Sequence, residues 1–150
     1  MKYSSYYVVL YFNFQHRQLE FMKLLPVGFF PSWVEDAGKA IGMLDSDFRK
    51  NGGRIGVEFY AGICLDHDLH KKTVTGGGNF SGTEVSAAII KYVSPDVPIL
   101  IHSMNPKKAP GMVNRLQSAG FDVVRMPYAD LEQEAFHEWL EIVRENAEDL

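Results

Sequence analysis

Two stretches of the sequence combine histidine with acidic, hydroxyl or amide side chains in a way that suits acid–base chemistry on a phosphate. Asp66-His67-Asp68 follows one short apolar run, and His102-Ser103-Met104-Asn105 follows another. An ordinary histidine pKa of about 6.5 lets an imidazole take up or release a proton at neutral pH. We expect the two histidines to divide the acid and base roles, while an aspartate fixes a tautomer or supports an imidazolium. The predicted catalytic residues are His67, His102, Asp66 and Asp68.

Groups that would hold the phosphate lie beside the same two stretches. A glycine-rich segment at 76–83 leads into a predicted helix, where backbone N–H groups and the helix dipole favour an anion. Ser103 and Asn105 would hold phosphate oxygens, and Lys107 would add positive charge. In the alternative interpretation, Ser103 or Asn105 caps the helix that starts near Pro106, and Lys107 is solvated. The predicted ligand-binding residues are Ser103, Asn105, Gly76, Gly77, Gly78, Gly82, Thr83 and Lys107.

A metal site at the first stretch is the weaker interpretation. Asp66 and Asp68 are oxygen ligands of the kind that a hard cation prefers. Nothing nearby in the sequence clearly completes the shell of ligands around such a cation. We therefore predict neither a metal nor a cofactor.

The elements that position these residues form a regular α/β alternation. Five strand candidates, at 6–12, 27–32, 61–65, 97–101 and 121–124, alternate with five helix candidates. Possible capping boxes, Ser32-x-x-Glu35 and Ser81-x-x-Glu84, precede two of the helices, and Gly52 would end the first of these two. This pattern predicts one doubly wound domain over 1–150, with helices flanking a parallel sheet of order 2-1-3-4-5. Ligands of such sheets bind at the carboxyl ends of the strands, where both polar stretches fall.

Composition places the chain among ordinary globular proteins. Of its 150 residues, 46% are hydrophobic and 23% are charged. The net charge of −4 indicates that the protein has no extended nucleic-acid-binding surface. The single cysteine, Cys64, lies in an apolar run and is interpreted as a small buried hydrophobic residue in a reducing compartment. The sequence shows no signal-peptide core and no apolar run of membrane-spanning length. We expect a cytoplasmic protein without a membrane partner, and we leave open whether it forms a homo-oligomer.

The two polar stretches carry a resemblance to a known family. At Asp66-His67-Asp68-Leu69, Ser81-Gly82 and Ile101–Pro106 the sequence resembles the cyclic-phosphate processing receiver-like domains, and the match extends over about 61–127. The resemblance implies a receiver-like, flavodoxin-like fold and activity on cyclic phosphates of RNA or nucleotide metabolism. It also implies a site that uses His67, Asp66, Asp68, His102, Ser103 and Asn105.

The chain departs from that family before residue 60 and after strand five. Asn13-Phe14-Gln15 stands where receivers place acidic residues, and Met126-Pro127 stands where they keep lysine before proline. These departures argue against a Mg²⁺ site and against phospho-aspartate signalling at Asp66. Two functions remain: a metal-independent phosphodiesterase acting on a cyclic phosphate of a nucleotide or ADP-ribose-type molecule, or a binding module that captures a small phosphorylated nucleotide ligand.

Overall fold

The sheet has five parallel strands in the predicted order. The computed structural model describes residues 7–12, 21, 23–66, 81–127 and 133–149. Neighbouring strands in the order β2-β1-β3-β4-β5 all pair in parallel. The strands are β1 Tyr7–Phe12, β2 Phe29–Val34, β3 Gly62–Leu65, β4 Ile99–Ile101 and β5 Val123–Arg125. The predicted adjacency of the third and fourth strands is confirmed.

Helices cover both faces of this sheet. The described helices are α1 Ala37–Asn51, α2 Gly82–Tyr92, α3 Ala109–Ser118 and α4 Gln133–Asp149. Residues 21, 23 and 24, between β1 and β2, are also helical. Buried residues of α1, α2 and α3 share one core cluster, whereas those of α4 share a second cluster with Phe21. We call the two sides of the sheet the α1–α3 face and the α4 face.

Alternation along the strands explains why two separate clusters form. Successive side chains of a strand point to opposite faces, so a strand covered on both sides is apolar throughout. In β3, Ile63 and Leu65 belong to the cluster of the α1–α3 face, and Cys64 belongs to that of the α4 face. Cys64 is fully buried, in agreement with its interpretation as a buried hydrophobic residue, and burial raises the pKa of its thiol.

The predicted capping of α1 is wrong in one respect. Ser32 lies within β2, where it pairs with Leu10, so it does not start a helix. Asp36 is the N-cap instead, and its carboxylate accepts a hydrogen bond from the N–H of Lys39 at 3.0 Å. The strand extends to Val34 because its residues complete the pairing with β1, which moves the helix start by one turn. Gly52 ends α1 with a left-handed φ of 73°, as predicted.

The start of α2 agrees with the sequence. The Ser81 hydroxyl oxygen accepts from the N–H of Thr83, and the carboxylate of Glu84 accepts from the N–H of Ser81. This is the capping box expected from Ser81-x-x-Glu84. In the described parts of the chain, no helix has the length and apolar character needed to cross a membrane.

Candidate functional site

Asp66 and His102 stand at equivalent positions just past two neighbouring strands. Leu65, the last residue of β3, pairs with Ile101, the last residue of β4. The N–H of His102 donates to the carbonyl oxygen of Leu65 at 3.0 Å, which extends the pairing beyond the strand ends. Both Asp66 and His102 are fully buried. The edge of the sheet therefore carries a buried carboxyl group and a buried imidazole on adjacent strands.

The imidazole of His102 belongs to the α4 face. Its ring lies edge-on to the ring of Phe21, with centroids 5.0 Å apart and an interplanar angle of 65°. Phe21 in turn contacts Phe136 of α4, with ring centroids 5.6 Å apart. Alternation along β3 places Asp66, two residues after Cys64, on the same face.

Ser103 and Asn105 shape the turn between β4 and α3. The hydroxyl oxygen of buried Ser103 accepts a hydrogen bond from the N–H of Asn105 at 3.0 Å. The Asn105 carbonyl oxygen Oδ1 accepts from the N–H groups of Lys107 and Lys108 at 3.0 and 2.9 Å. The two side chains thus hold the turn before α3, but the alternative interpretation that one of them caps the helix is wrong: α3 begins at Ala109, and its N-cap is Lys108, without a side-chain cap hydrogen bond. Their acceptor atoms are used, whereas the Ser103 hydroxyl and the Asn105 amide still carry hydrogens for donation.

Arg125 is a site candidate that the sequence reasoning missed. It is the last residue of β5, and its guanidinium Nη2 donates to the carbonyl oxygen of Ser103 at 3.4 Å. Its side chain is exposed, so the remaining N–H groups can meet a ligand from solvent. Residues 66–68 and 102–105 are selected because ligands of such sheets bind past the carboxyl ends of the strands. The same rule selects Arg125 once β5 is known to end at that residue.

The N-terminus of α2 uses several of its polar groups internally. The N–H groups of Ser81 and Thr83 are engaged in the capping box. The carbonyl oxygen of Gly82 accepts from the hydroxyl of Ser86 at 2.7 Å. Anion binding by Gly82 and Thr83 stays a prediction. Phosphate binding by Lys107, which is exposed, also stays a prediction. His67, Asp68, Gly76, Gly77 and Gly78 lie outside the described residues.

Buried polar residues are concentrated at this end of the sheet. Among the described residues, four buried polar or charged ones follow a strand or begin the next helix: Asp66, His102, Ser103 and Ser81. Ser86, in the second turn of α2, is also buried. Elsewhere in the described core the buried side chains are hydrophobic. Across the same part of the chain, no three histidine, cysteine or acidic residues are grouped so that they could hold a metal ion.

Comparison with known proteins identifies the fold. No protein-family model matches the sequence, and no curated protein is similar to it. Among solved structures, a response regulator receiver protein from Sinorhizobium medicae is similar over 98% of this chain and 98% of its own, with 17% identity and a TM-score of 0.57. The signal receiver domain of a putative LuxO repressor from Vibrio parahaemolyticus is similar over 94% of this chain and 91% of its own, with 14% identity and a TM-score of 0.57.

A third similar structure contains a metal ion. It is the receiver domain of the sensor histidine kinase PA1611 from Pseudomonas aeruginosa, with magnesium coordinated in its active-site cleft. It covers 95% of this chain and 98% of its own, with 16% identity and a TM-score of 0.52. At such low identity the similarity is one of architecture. The chain has the receiver-like, flavodoxin-like α/β fold.

Proposed function

We propose that this chain is a phosphodiesterase-like domain that opens a cyclic phosphate on a nucleotide or ADP-ribose-type molecule at the carboxyl edge of its sheet. The observation that carries the proposal is the placement of Asp66 and His102 in one row on neighbouring strands, both fully buried. Burying a carboxyl group and an imidazole is unfavourable unless hydrogen bonds or charges compensate. Their concentration at the edge where doubly wound sheets bind ligands favours a functional site.

The proposed reaction needs one proton acceptor and one proton donor. One of His67 and His102 takes a proton from the water that attacks phosphorus, and the other protonates the ring oxygen that leaves. The bond from phosphorus to that ring oxygen breaks as the new bond to the water oxygen forms. Asp66 or Asp68 holds an imidazole in the tautomer that this exchange requires. No step needs a metal ion.

Positive charge and hydrogen-bond donors would stabilise the phosphate. Because a carboxylate repels an anionic ligand, a site containing Asp66 needs a compensating cation. Arg125 is suited to this role, since its guanidinium already contacts the β4–α3 turn at Ser103. The hydroxyl of Ser103 and the amide of Asn105 add donors at the same turn, where charge develops on the phosphate oxygens.

A binding module without turnover is the second candidate. Its support is the close packing of His102, whose ring is fully buried against Phe21. A histidine packed in this way suits a structural role, or a contact with a captured ligand that involves no proton transfer. The structural role of Ser103 and Asn105 in the turn before α3 favours the same candidate, because it uses their acceptor atoms.

A ligand screen separates the two candidates. The purified chain is incubated with 2′,3′-cyclic, 3′,5′-cyclic and 1″,2″-cyclic phosphates, with and without EDTA, and the products are followed by chromatography. Ring opening that is insensitive to EDTA is the expected result. Retention of an unchanged cyclic phosphate supports the binding module, and the absence of both turnover and retention contradicts both candidates.

A further inference from the structure

Glu35 has a buried carboxylate oxygen that the fold does not explain. It directly follows β2, and its Oε2 is buried without a hydrogen-bond partner among the described residues. Leaving a buried carboxylate oxygen without a partner is unfavourable. The neighbouring Asp36 is accounted for, because it caps α1. A ligand that donates hydrogen bonds to Glu35 would remove this cost.

Strand register places Glu35 in the same cross-sheet row as Asp66 and His102. Val34 pairs with Phe12, and Phe12 pairs with Leu65, the residue before Asp66. Glu35 is likewise one residue beyond the end of its strand. The row of polar residues at the carboxyl edge therefore extends from β4 across to β2.

Alternation also places Glu35 on the α4 face, where His102 lies. Trp33, two residues earlier, packs against the cluster of that face, and Val34 against the other cluster. Glu35 lies between the last residue of β2 and Asp36, whose own backbone is extended with φ −107° and ψ 125°, and we infer that the alternation continues through Glu35. Asp36 then faces α1, which it caps, and Glu35 faces the opposite side.

A second buried polar atom on this face also has no partner in the described part of the chain. It is the hydroxyl oxygen of Tyr11, which belongs to β1. The Tyr11 ring packs between Trp33 and Phe21, with centroid separations of 4.4 and 4.9 Å. Glu35 and Tyr11 thus bring an acceptor and a donor to the same side of neighbouring strands, as a hydroxyl-bearing ligand requires.

The spacing of the row limits the ligand. Strands lie about 4.8 Å apart, so Glu35 is about 10 Å from Asp66 and about 14 Å from His102 along the row. A sugar joined directly to the cyclic phosphate lies too close to that phosphate to reach Glu35. In doubly wound nucleotide-binding sheets, an acidic residue of this kind accepts hydrogen bonds from ribose hydroxyls.

We propose that Glu35 accepts hydrogen bonds from the hydroxyls of a second sugar, so that the ligand is a molecule of the ADP-ribose type rather than a cyclic mononucleotide. This inference rests on the proposed function, since it assumes a phosphate beside His102. A neutral diol suits Glu35 better than a metal ion does, because no metal-binding group of three or more side chains occurs among the described residues.

The test compares two ligands and two carboxylate variants. The ligands are ADP-ribose 1″,2″-cyclic phosphate and its analogue lacking both hydroxyls of the adenosine ribose. The proteins are wild type, Glu35→Gln, and the matched control Glu145→Gln at an exposed position of α4. Calorimetry gives Kd where the ligand is retained, and kcat/KM replaces it where the ligand is turned over. Circular dichroism checks that each variant is folded.

The expected result is a loss of roughly 10- to 100-fold for Glu35→Gln with the complete ligand, the range for one hydrogen bond to a charged group. With the dideoxy analogue, wild type and Glu35→Gln should bind equally, and Glu145→Gln should match wild type with both. Equal losses with both ligands, or none, would overturn the role of Glu35 while leaving the proposed function intact. A Glu35-dependent affinity for Mn²⁺ in the free protein would also overturn it. Failure of wild type to bind or turn over any cyclic phosphate would overturn both.

Discussion

Phe21 lies edge-on to His102, with ring centroids 5.0 Å apart, and both residues are fully buried. The contact joins the helical residues between β1 and β2 to the end of β4. It fixes the imidazole from the α4 face, on which we also place Asp66 and Glu35. The environment of the candidate catalytic histidine is therefore set by an aromatic ring from a distant part of the sequence.

Removing the Phe21 ring should destabilise the protein strongly. Phe21→Ala leaves a cavity among Tyr11, Phe136 and His102, and we expect a loss of about 3–5 kcal/mol in the free energy of unfolding. Urea unfolding measures it. Val27→Ala is the control, because Val27 is fully exposed and should change stability by no more than about 0.5 kcal/mol. Equal small effects for both would contradict the packing of Phe21.

Gly62 allows β3 to approach α4 closely. A Cβ atom at this position would lie 3.1 Å from Trp139 Cη2 and 3.1 Å from Val143 Cγ2. We expect Gly62→Ala to lower the free energy of unfolding by about 1–3 kcal/mol through overpacking. Gly42→Ala is the matched control: nothing lies within 4 Å of its added Cβ, and α1 should gain up to about 1 kcal/mol. Denaturant midpoints of the two variants should move in opposite directions, and a shift in the same direction would argue against the close approach.

Alkaline pH should destabilise the protein through buried Tyr11 and half-buried Tyr60. Burial raises the pKa of Tyr11, and burial together with the hydrogen bond to Asp47 raises that of Tyr60. The unfolded chain loses these protons near its ordinary pKa of about 10, whereas the folded chain keeps them. The unfolded state then binds fewer protons, so stability is complete below pH 10 and falls above it, by up to about 1.4 kcal/mol per pH unit for buried Tyr11 and by less for half-buried Tyr60, which solvent screens.

Urea titrations between pH 9 and 12 measure this slope. Tyr60→Phe should remove the contribution of Tyr60 to this pH slope. It should also lose the hydrogen bond to Asp47, which is worth about 1 kcal/mol at neutral pH. Tyr11→Phe should reduce the slope without such a loss, because the Tyr11 hydroxyl has no partner among the described residues. A stability that does not change up to pH 12 would contradict the raised pKa values.

Divalent cations should bind weakly in the free protein. Asn13-Phe14-Gln15 supplies no carboxylate after the first strand, and two carboxylates with waters generally need a substrate phosphate to complete the coordination of Mg²⁺. We therefore expect a Kd for Mg²⁺ well above the micromolar range, measured by calorimetry, and the same turnover with EDTA as without it. Micromolar affinity would revive a metal-dependent mechanism.

The strand order could be predicted because hydrophobic runs and turn residues agree along the chain. The end of β2 could not, since Ser32 and Glu35 match a capping box in sequence while pairing with β1 keeps Ser32 in the sheet. Because the sequence assigns Glu35 to that capping box, it does not indicate Glu35 as a site residue. Its place in the row with Asp66 and His102 follows only from the strand register. The contacts of His102 with Phe21, and of Arg125 with Ser103, join residues far apart in sequence, and no local pattern signals them.

Turnover by the histidine variants tests the central claim most directly. The rate of ring opening is measured for wild type, His67→Ala, His102→Ala and the double variant, on the cyclic phosphate that the screen selects. We expect each single variant to lose about 10²- to 10⁴-fold, and the double variant much less than the product of the two losses. Ligand affinity should fall far less than the rate, and the wild-type pH profile should be bell-shaped. Wild-type turnover in both single variants would contradict the assignment of acid–base chemistry to these histidines.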